Sequence, residues 1–170
     1  MRTELHVSIN RELECIKSIA EALKRDGYNA SNSIVVTVST DYSSIAGQII
    51  RHELTHEGEI ADGFGVDVPY PDQQWDIRFV NEACSMFLLH RQAIGGKTII
   101  LVEAGVIRGS NYNSLINLMR QSLEMDNPIL TTTLFQSKGS AIECDYIAEY
   151  YDDKFNDLTF WWEKENNHWK

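Results

Sequence analysis

The chain has 170 residues, with 15 Lys and Arg against 25 Asp and Glu, a formal net charge of −10 and a pI near 4.9. Its 43% hydrophobic content is spread along the whole length, enough for one buried core and enough to exclude a long disordered tail. The acidity excludes a broad basic face for duplex nucleic acid, but it leaves room for a small phosphorylated ligand neutralised locally by a metal ion or backbone N–H groups.

Charged residues at Arg2, Glu4, Arg11, Glu12 and Glu14 interrupt any apolar signal core. No run approaches the roughly 20 apolar residues that span a bilayer. Cys15, Cys84 and Cys144 are odd in number and far apart, which reads as reduced thiols in a cytoplasmic protein with no membrane partner.

In chain order, Leu13, Ile16, Ile19, Ala20 and Leu23 recur at helical spacing behind Asn10, a good N-cap, so the pattern predicts a helix over 10–26, stopped by Gly27. The β-branched run 34–38 predicts a buried strand. A polar turn over 39–43 follows, and then a helix through Ile45, Ala46, Ile49 and Ile50. Residues 57–74 hold three glycines, two prolines and several acids without a period, and read as a long loop. A helix is expected over 75–92, with Ile77, Val80, Cys84, Phe87 and Leu88 on one face, closed by Gly95-Gly96. A strand over 97–103, a loop over 104–110, a helix over 112–124 and a strand over 129–135 complete the pattern. An aromatic and acidic segment, 146–162, ends it.

Strands alternating with helices predict a single α/β domain over 1–170 with a mostly parallel sheet flanked by helices. Within it, 1–30 is an N-terminal helical segment and 31–163 the core. Ligands of such sheets sit beyond the carboxyl ends of the strands. The segments 39–43 and 103–111 are placed to meet one there. In the second, Gly109 allows close backbone approach, Ser110 and Asn111 supply side-chain donors, and the first amides of the next helix make an anion cradle. Glu103 is suited to accept hydrogen bonds from sugar hydroxyls. An ordinary capped strand–helix turn has the same appearance.

The strand Lys97–Glu103, its Gly/Ser turn and the following helix resemble the ribose-phosphate loop of type I phosphoribosyltransferases. Ser39-Thr40-Asp41-Tyr42 stands where that family keeps its pyrophosphate loop. The run from Thr131 to Lys138, followed by Asp145-Tyr146, is similar to the 6-oxopurine (xanthine, guanine, hypoxanthine) branch, and Phe160-Trp161-Trp162-Glu163 to its C-terminal close. The resemblance covers about residues 30–163 through the order of its elements. It implies a phosphoribosyltransferase-like fold. It also implies transfer of a pentose 5-phosphate to a purine-type base with release of pyrophosphate, a Mg²⁺ requirement, a role in purine salvage and a homo-oligomer.

Carried onto this chain, the resemblance assigns Ser39, Thr40 and Asp41 to pyrophosphate, with Asp41 and Glu103 catalytic and facing Mg²⁺. Arg108, Gly109, Ser110 and Asn111 fall to the 5′-phosphate, Lys138 to an exocyclic oxygen, and Phe160 or Trp161 to stacking on the base. The chain departs from the family where Ala104 replaces the second acid of the ribose loop, and in Ile107-Arg108-Gly109-Ser110-Asn111, which replaces the usual small hydroxylated residues.

A competing motif is His52-Glu53-Leu54-Thr55-His56, a literal H-E-x-x-H. On a helix its two histidines share one face and can bind Zn²⁺, with Glu53 as general base. Glu82, beside Asn81, resembles the third ligand of thermolysin-like peptidases. Three readings therefore stand: a phosphoribosyltransferase, a zinc metallopeptidase, and a non-catalytic nucleotide-binding regulator. The acids Glu149, Asp152, Asp153 and Asp157, interleaved with aromatics, read as a solvated helix or loop rather than a metal site.

Overall fold

The computed structural model describes residues 4–38, 40–69, 75–106, 108–152 and 157–160. Its centre is a five-stranded, all-parallel sheet made of β2 (Ser33–Val38), β3 (Gly63–Val66), β4 (Thr98–Val106), β5 (Ile129–Ser137) and β6 (Tyr146–Tyr151), in the order β3-β2-β4-β5-β6. A second, two-stranded parallel sheet joins β1 (Glu4–Val7) to β7 (Asp157–Phe160). This is the predicted α/β architecture. Parallel neighbours need crossovers, and helices supply them: α2 (Thr40–Glu53) between β2 and β3, and α3 (Ile77–Leu89) with the short α4 (Arg91–Ile94) between β3 and β4. Between β4 and β5 runs α5 (Ser110–Asn117), prolonged by a π-helical turn over Leu118–Ser122. Preceding them all, α1 (Ile9–Arg25) follows β1.

Burial on both faces explains the near-continuous apolar strands. Val35, Ile100, Val102 and Ala104 pack with Ile16, Ile19 and Leu23 of α1 and with Ala46 and Ile50 of α2. Ile34, Val36, Ile99 and Leu101 pack on the other face with Phe87 of α3, Ile94 of α4, and Tyr112 and Leu115 of α5. Val7, Leu158 and Phe160 of the small sheet join the α1/α2 side. In β4 the alternation slips by one residue after Ala104, so Val106 returns to the α3/α5 side. Gly47 and Gly105 are among the glycines where close approach is built in. A Cβ on Gly47 of α2 would overlap the Thr37 methyl of β2, and one on Gly105 would overlap Leu158 of β7.

Several expectations need correcting. The first helix is capped by Ser8, whose hydroxyl accepts from Arg11 N, and Asn10 lies inside it. The expected loop over 57–74 contains the edge strand β3, paired through Val35↔Gly63 to Val38↔Val66. On α3, Ile77 and Leu88 are exposed, and burial centres on Ala83 and Phe87. Of the C-terminal acidic segment, Glu149 lies in β6 and Asp157 begins β7, while Asp153 lies outside the described residues. Within it Glu149 is clamped by the guanidinium of Arg11, which also lies 5.5 Å from the Phe135 ring centroid.

Candidate functional site

From β2 the chain turns through α2 to β3 on one side, whereas from β4 it turns through α5 to β5 on the other. The strand order therefore reverses between β2 and β4, and a crevice opens beyond their carboxyl ends. Both segments singled out in the sequence flank it. Ser39 and Trp161 lie outside the described residues. Thr40 and Asp41 are the first residues of α2 and so stand at the crevice by backbone position. Ser43, one turn on, is buried, and its hydroxyl accepts from the Ala104 N–H at 3.1 Å, tying α2 to β4 beneath the crevice.

On the β4 side, Gly109 adopts φ +78, the left-handed conformation that glycine enters without steric cost, and caps α5. The first amides of that helix have no partners within it. A shallow depression runs from Glu103 and Gly105 past Val106 to Arg108–Asn111, with Arg108 and Ser110 exposed at its rim. Asn111 differs from expectation. Its side chain is buried and donates to Pro69 O at 3.2 Å, so the amide is committed to holding the segment after β3 and leaves only its backbone N–H facing an anion.

Glu103 is not at a strand end, as its sequence context suggests. β4 continues to Val106, and Glu103 pairs with Thr133 three residues inside it. It is half-buried, on the α5 side of the sheet, and its carboxyl has no hydrogen-bond or ionic partner among the described residues. Burial pushes its pKa up to about 8. Close to it, Tyr112 is fully buried and donates its hydroxyl to Thr132 O at 2.5 Å, joining α5 to β5. Burial first, then the nearby Glu103, raises the Tyr112 pKa well above that of an ordinary phenol.

The connection between β5 and β6 lies against the cradle. Ala141 N donates to Arg108 O at 3.3 Å, and the Ile142 side chain fills the space a Cβ on Gly109 would need. Lys138 opens this connection. Its backbone N donates to Tyr151 O, and its side chain is exposed. Asp145 closes it by accepting from Thr131 N at 2.7 Å and Thr131 Oγ1 at 2.9 Å. Phe160 is a correction. It is 4% exposed, with its ring packed on Phe135 at 6.0 Å in the α1/α2-side core, an enclosure that leaves no face for a base.

The zinc site is also corrected. α2 ends at Glu53, so His56 lies beyond the helix, in an isolated bridge with Glu59, and the i, i+4 alignment of His52 and His56 is lost. Glu53, the expected base, is paired with Lys24 at 2.6 Å, and that ammonium holds its pKa down. Glu82 is exposed on α3, across the sheet from α2. Among the described residues no three His, Cys, Asp or Glu side chains converge on a metal position.

Sequence reasoning gave no structural role to Ser43, Tyr112, Gln136 and Asp145, which hold the site together. Gln136 and Asp145 stood within the segments that carry the family resemblance and Ser43 within the segment 39–43, whereas Tyr112 signalled only by polarity beside an apolar run.

The strand order, the switch between β2 and β4 and the glycine-capped helix after β4 define a phosphoribosyltransferase-like α/β fold. Solved structures of this kind superpose over nearly the whole chain. The purine phosphoribosyltransferase from Pyrococcus horikoshii Ot3 matches with TM-score 0.66 and 15% identity, over 94% of this chain and 93% of that one. The Helicobacter pylori xanthine-guanine-hypoxanthine phosphoribosyltransferase matches with TM-score 0.63 and 13% identity, over 99% and 97%. A hypothetical protein from Neisseria gonorrhoeae with bound ppGpp matches with TM-score 0.69 and 14% identity, over 99% and 96%. No protein-family model and no curated protein matches the sequence. Among the described residues no helix is long and apolar enough to cross a membrane.

Proposed function

We propose that this protein is a phosphoribosyltransferase that binds a pentose 5-phosphate at the β2/β4 switch point and joins it to a purine-type base, releasing pyrophosphate. The observation that carries the reading is the juxtaposition in one depression of the Glu103 carboxyl, without a partner among the described residues, and the Gly109 cradle. One end suits sugar hydroxyls and the other a terminal phosphate. The ring nitrogen of the base attacks the anomeric carbon as the bond to pyrophosphate breaks, through an oxocarbenium-like transition state. Catalysis then rests on positioning and on stabilising the leaving group. Arg108, Ser110 and the first amides of α5 hold the 5′-phosphate, Thr40 and Asp41 at the start of α2 face the leaving group together with Ser39, and Lys138 addresses an exocyclic oxygen.

The donor set fits Mg²⁺, which is commonly held by one or two carboxylates and completed by phosphate oxygens and water. Glu103 and Asp41 are the residues to hold it, and the ion would neutralise the pyrophosphate charge that a chain of net charge −10 otherwise repels.

A second reading, a nucleotide-binding regulator without turnover, has one observation in its favour. Ala104 is 2% exposed in the core, where the resembled family carries an acid. The ppGpp held by the Neisseria protein is consistent with it. Incubation with phosphoribosyl pyrophosphate, Mg²⁺ and guanine, xanthine or hypoxanthine separates the two. Nucleotide and pyrophosphate formed in equal amounts support the transferase. Tight calorimetric binding of guanine nucleotides without product supports the regulator, and no binding of any ribose phosphate overturns both.

A further inference from the structure

The least expected polar residue near the cradle is Gln136. It sits in β5 between Val106 of β4 and Tyr150 of β6 and is 3% exposed. Both ends of its amide are held by one stretch of backbone: Nε2 donates to Ile142 O at 2.8 Å, and Oε1 accepts from Cys144 N at 3.1 Å. A buried glutamine with both ends matched is a demanding arrangement, since losing either partner strands a desolvated group. Here it does for the β5–β6 connection what a ladder neighbour does for a strand, pinning the backbone at two alternate residues. The pinned residue Ile142 in turn presses on Gly109, and Ala141 N reaches Arg108 O at 3.3 Å.

We propose that Gln136 is a positioning residue that locks the β5–β6 connection onto the phosphate cradle, so that the segments 138–145 and 108–111 are ordered as one unit. The proposal deepens the transferase reading, because it couples the segment bearing Lys138 to the one that takes the phosphate. A ligand seated on the cradle then stabilises the connection that would meet the base, and a base bound there stabilises the cradle. Binding at one end lowers the ordering cost at the other.

Amide hydrogen exchange on the unliganded full chain provides the first test and needs no ligand. In Gln136→Met, an apolar near-isostere, amides of 138–145 and of 108–113 should both exchange at least about tenfold faster, with α1 and β2 unchanged. Gln136→Glu guards against a variant that fails to fold. Protonated, its carboxyl can still donate to Ile142 O and accept from Cys144 N, whereas the carboxylate can only accept. Protection of both segments, each relative to wild type at the same pH, should therefore be near normal where the buried carboxyl is protonated and lost together once rising pH ionises it. Ile142→Ala keeps the clamp and removes the contact with Gly109, so 138–145 should stay protected while 108–113 loosens. If 108–113 is indifferent to all three changes, the coupling is absent and the proposal fails.

A second measurement brings in the function. Calorimetry with GMP and with ribose 5-phosphate should show Gln136→Met weakening both, while Lys138→Ala weakens GMP alone. If wild type binds neither probe, the transferase reading fails and the exchange result still decides the clamp. If both bind and Gln136→Met leaves ribose 5-phosphate affinity unchanged, the clamp does not act on the cradle.

Discussion

The N–H of Ala104 donates to the hydroxyl of Ser43 across 3.1 Å, with both residues buried. That bond closes the floor of the crevice and decides what position 104 can hold. The Ala104 side chain lies in the α1/α2-side core, so a carboxylate placed there would be buried without a partner. Ala104→Asp should lower the unfolding free energy by about 3 kcal/mol or more and should not raise transferase activity. Ser43→Ala, which leaves the Ala104 N–H unsatisfied, should cost about 1–3 kcal/mol. Urea titrations of the two variants check both figures.

Glu103 makes stability fall with rising pH. Its carboxyl titrates near 4.5 when unfolded and at about 8 when folded. Its contribution is therefore present in full below pH 4.5 and is lost progressively as pH climbs to about 8, because the unfolded chain releases its proton first. Glu103→Gln should remove this slope and exceed wild type by about 1–3 kcal/mol at pH 8.5, after allowance for its partial exposure. Urea midpoints at pH 5 and 8.5 report it.

The same group links ligand binding to protons. If Mg²⁺ and ribose hydroxyls require the Glu103 carboxylate, binding below pH 8 must expel its proton. Calorimetry of ribose 5-phosphate with Mg²⁺ in two buffers of different ionisation enthalpy should show proton release in wild type and none in Glu103→Gln.

Arg108 is exposed at the cradle rim. Arg108→Ala should weaken a 5′-phosphorylated ligand about tenfold and flatten the salt dependence of binding, with little effect on thermal stability. Gly109→Ala should do more. Its φ of +78 strains any L side chain, and the added methyl collides with Ile142. A stability loss of at least about 1–2 kcal/mol together with lost phosphate affinity is expected.

For the H-E-x-x-H segment the expectation is inert behaviour. His52→Ala and His56→Ala should each shift stability by no more than about 0.5 kcal/mol. Metal analysis of purified protein should find zinc well below one equivalent.

Much of this was legible in the chain. The helix α1 and the strands β2, β4 and β5 follow from runs long enough to show a period or an unbroken apolar core, and local sequence carries such signals. β1, β3 and β7 have four residues each, and β3 reads Gly-Phe-Gly-Val. Nothing local distinguishes these from loop, because their partners lie 28 or more residues away. The end of β4 was misplaced for a related reason. Glu103 looks like a polar stop, yet pairing with β5 carries the strand on to Val106.

By itself, then, the sequence determined the alternation of strands and helices, the acidity that demands local neutralisation of any phosphate, and the two segments that flank the crevice. Only the tertiary structure decided what the side chains there are free to do. It enclosed Phe160 in the core, committed Asn111 to Pro69, parted His52 from His56 and left the Glu103 carboxyl without a partner among the described residues. Those outcomes depend on which groups find partners across the fold, and partnership between distant residues leaves no period in a sequence.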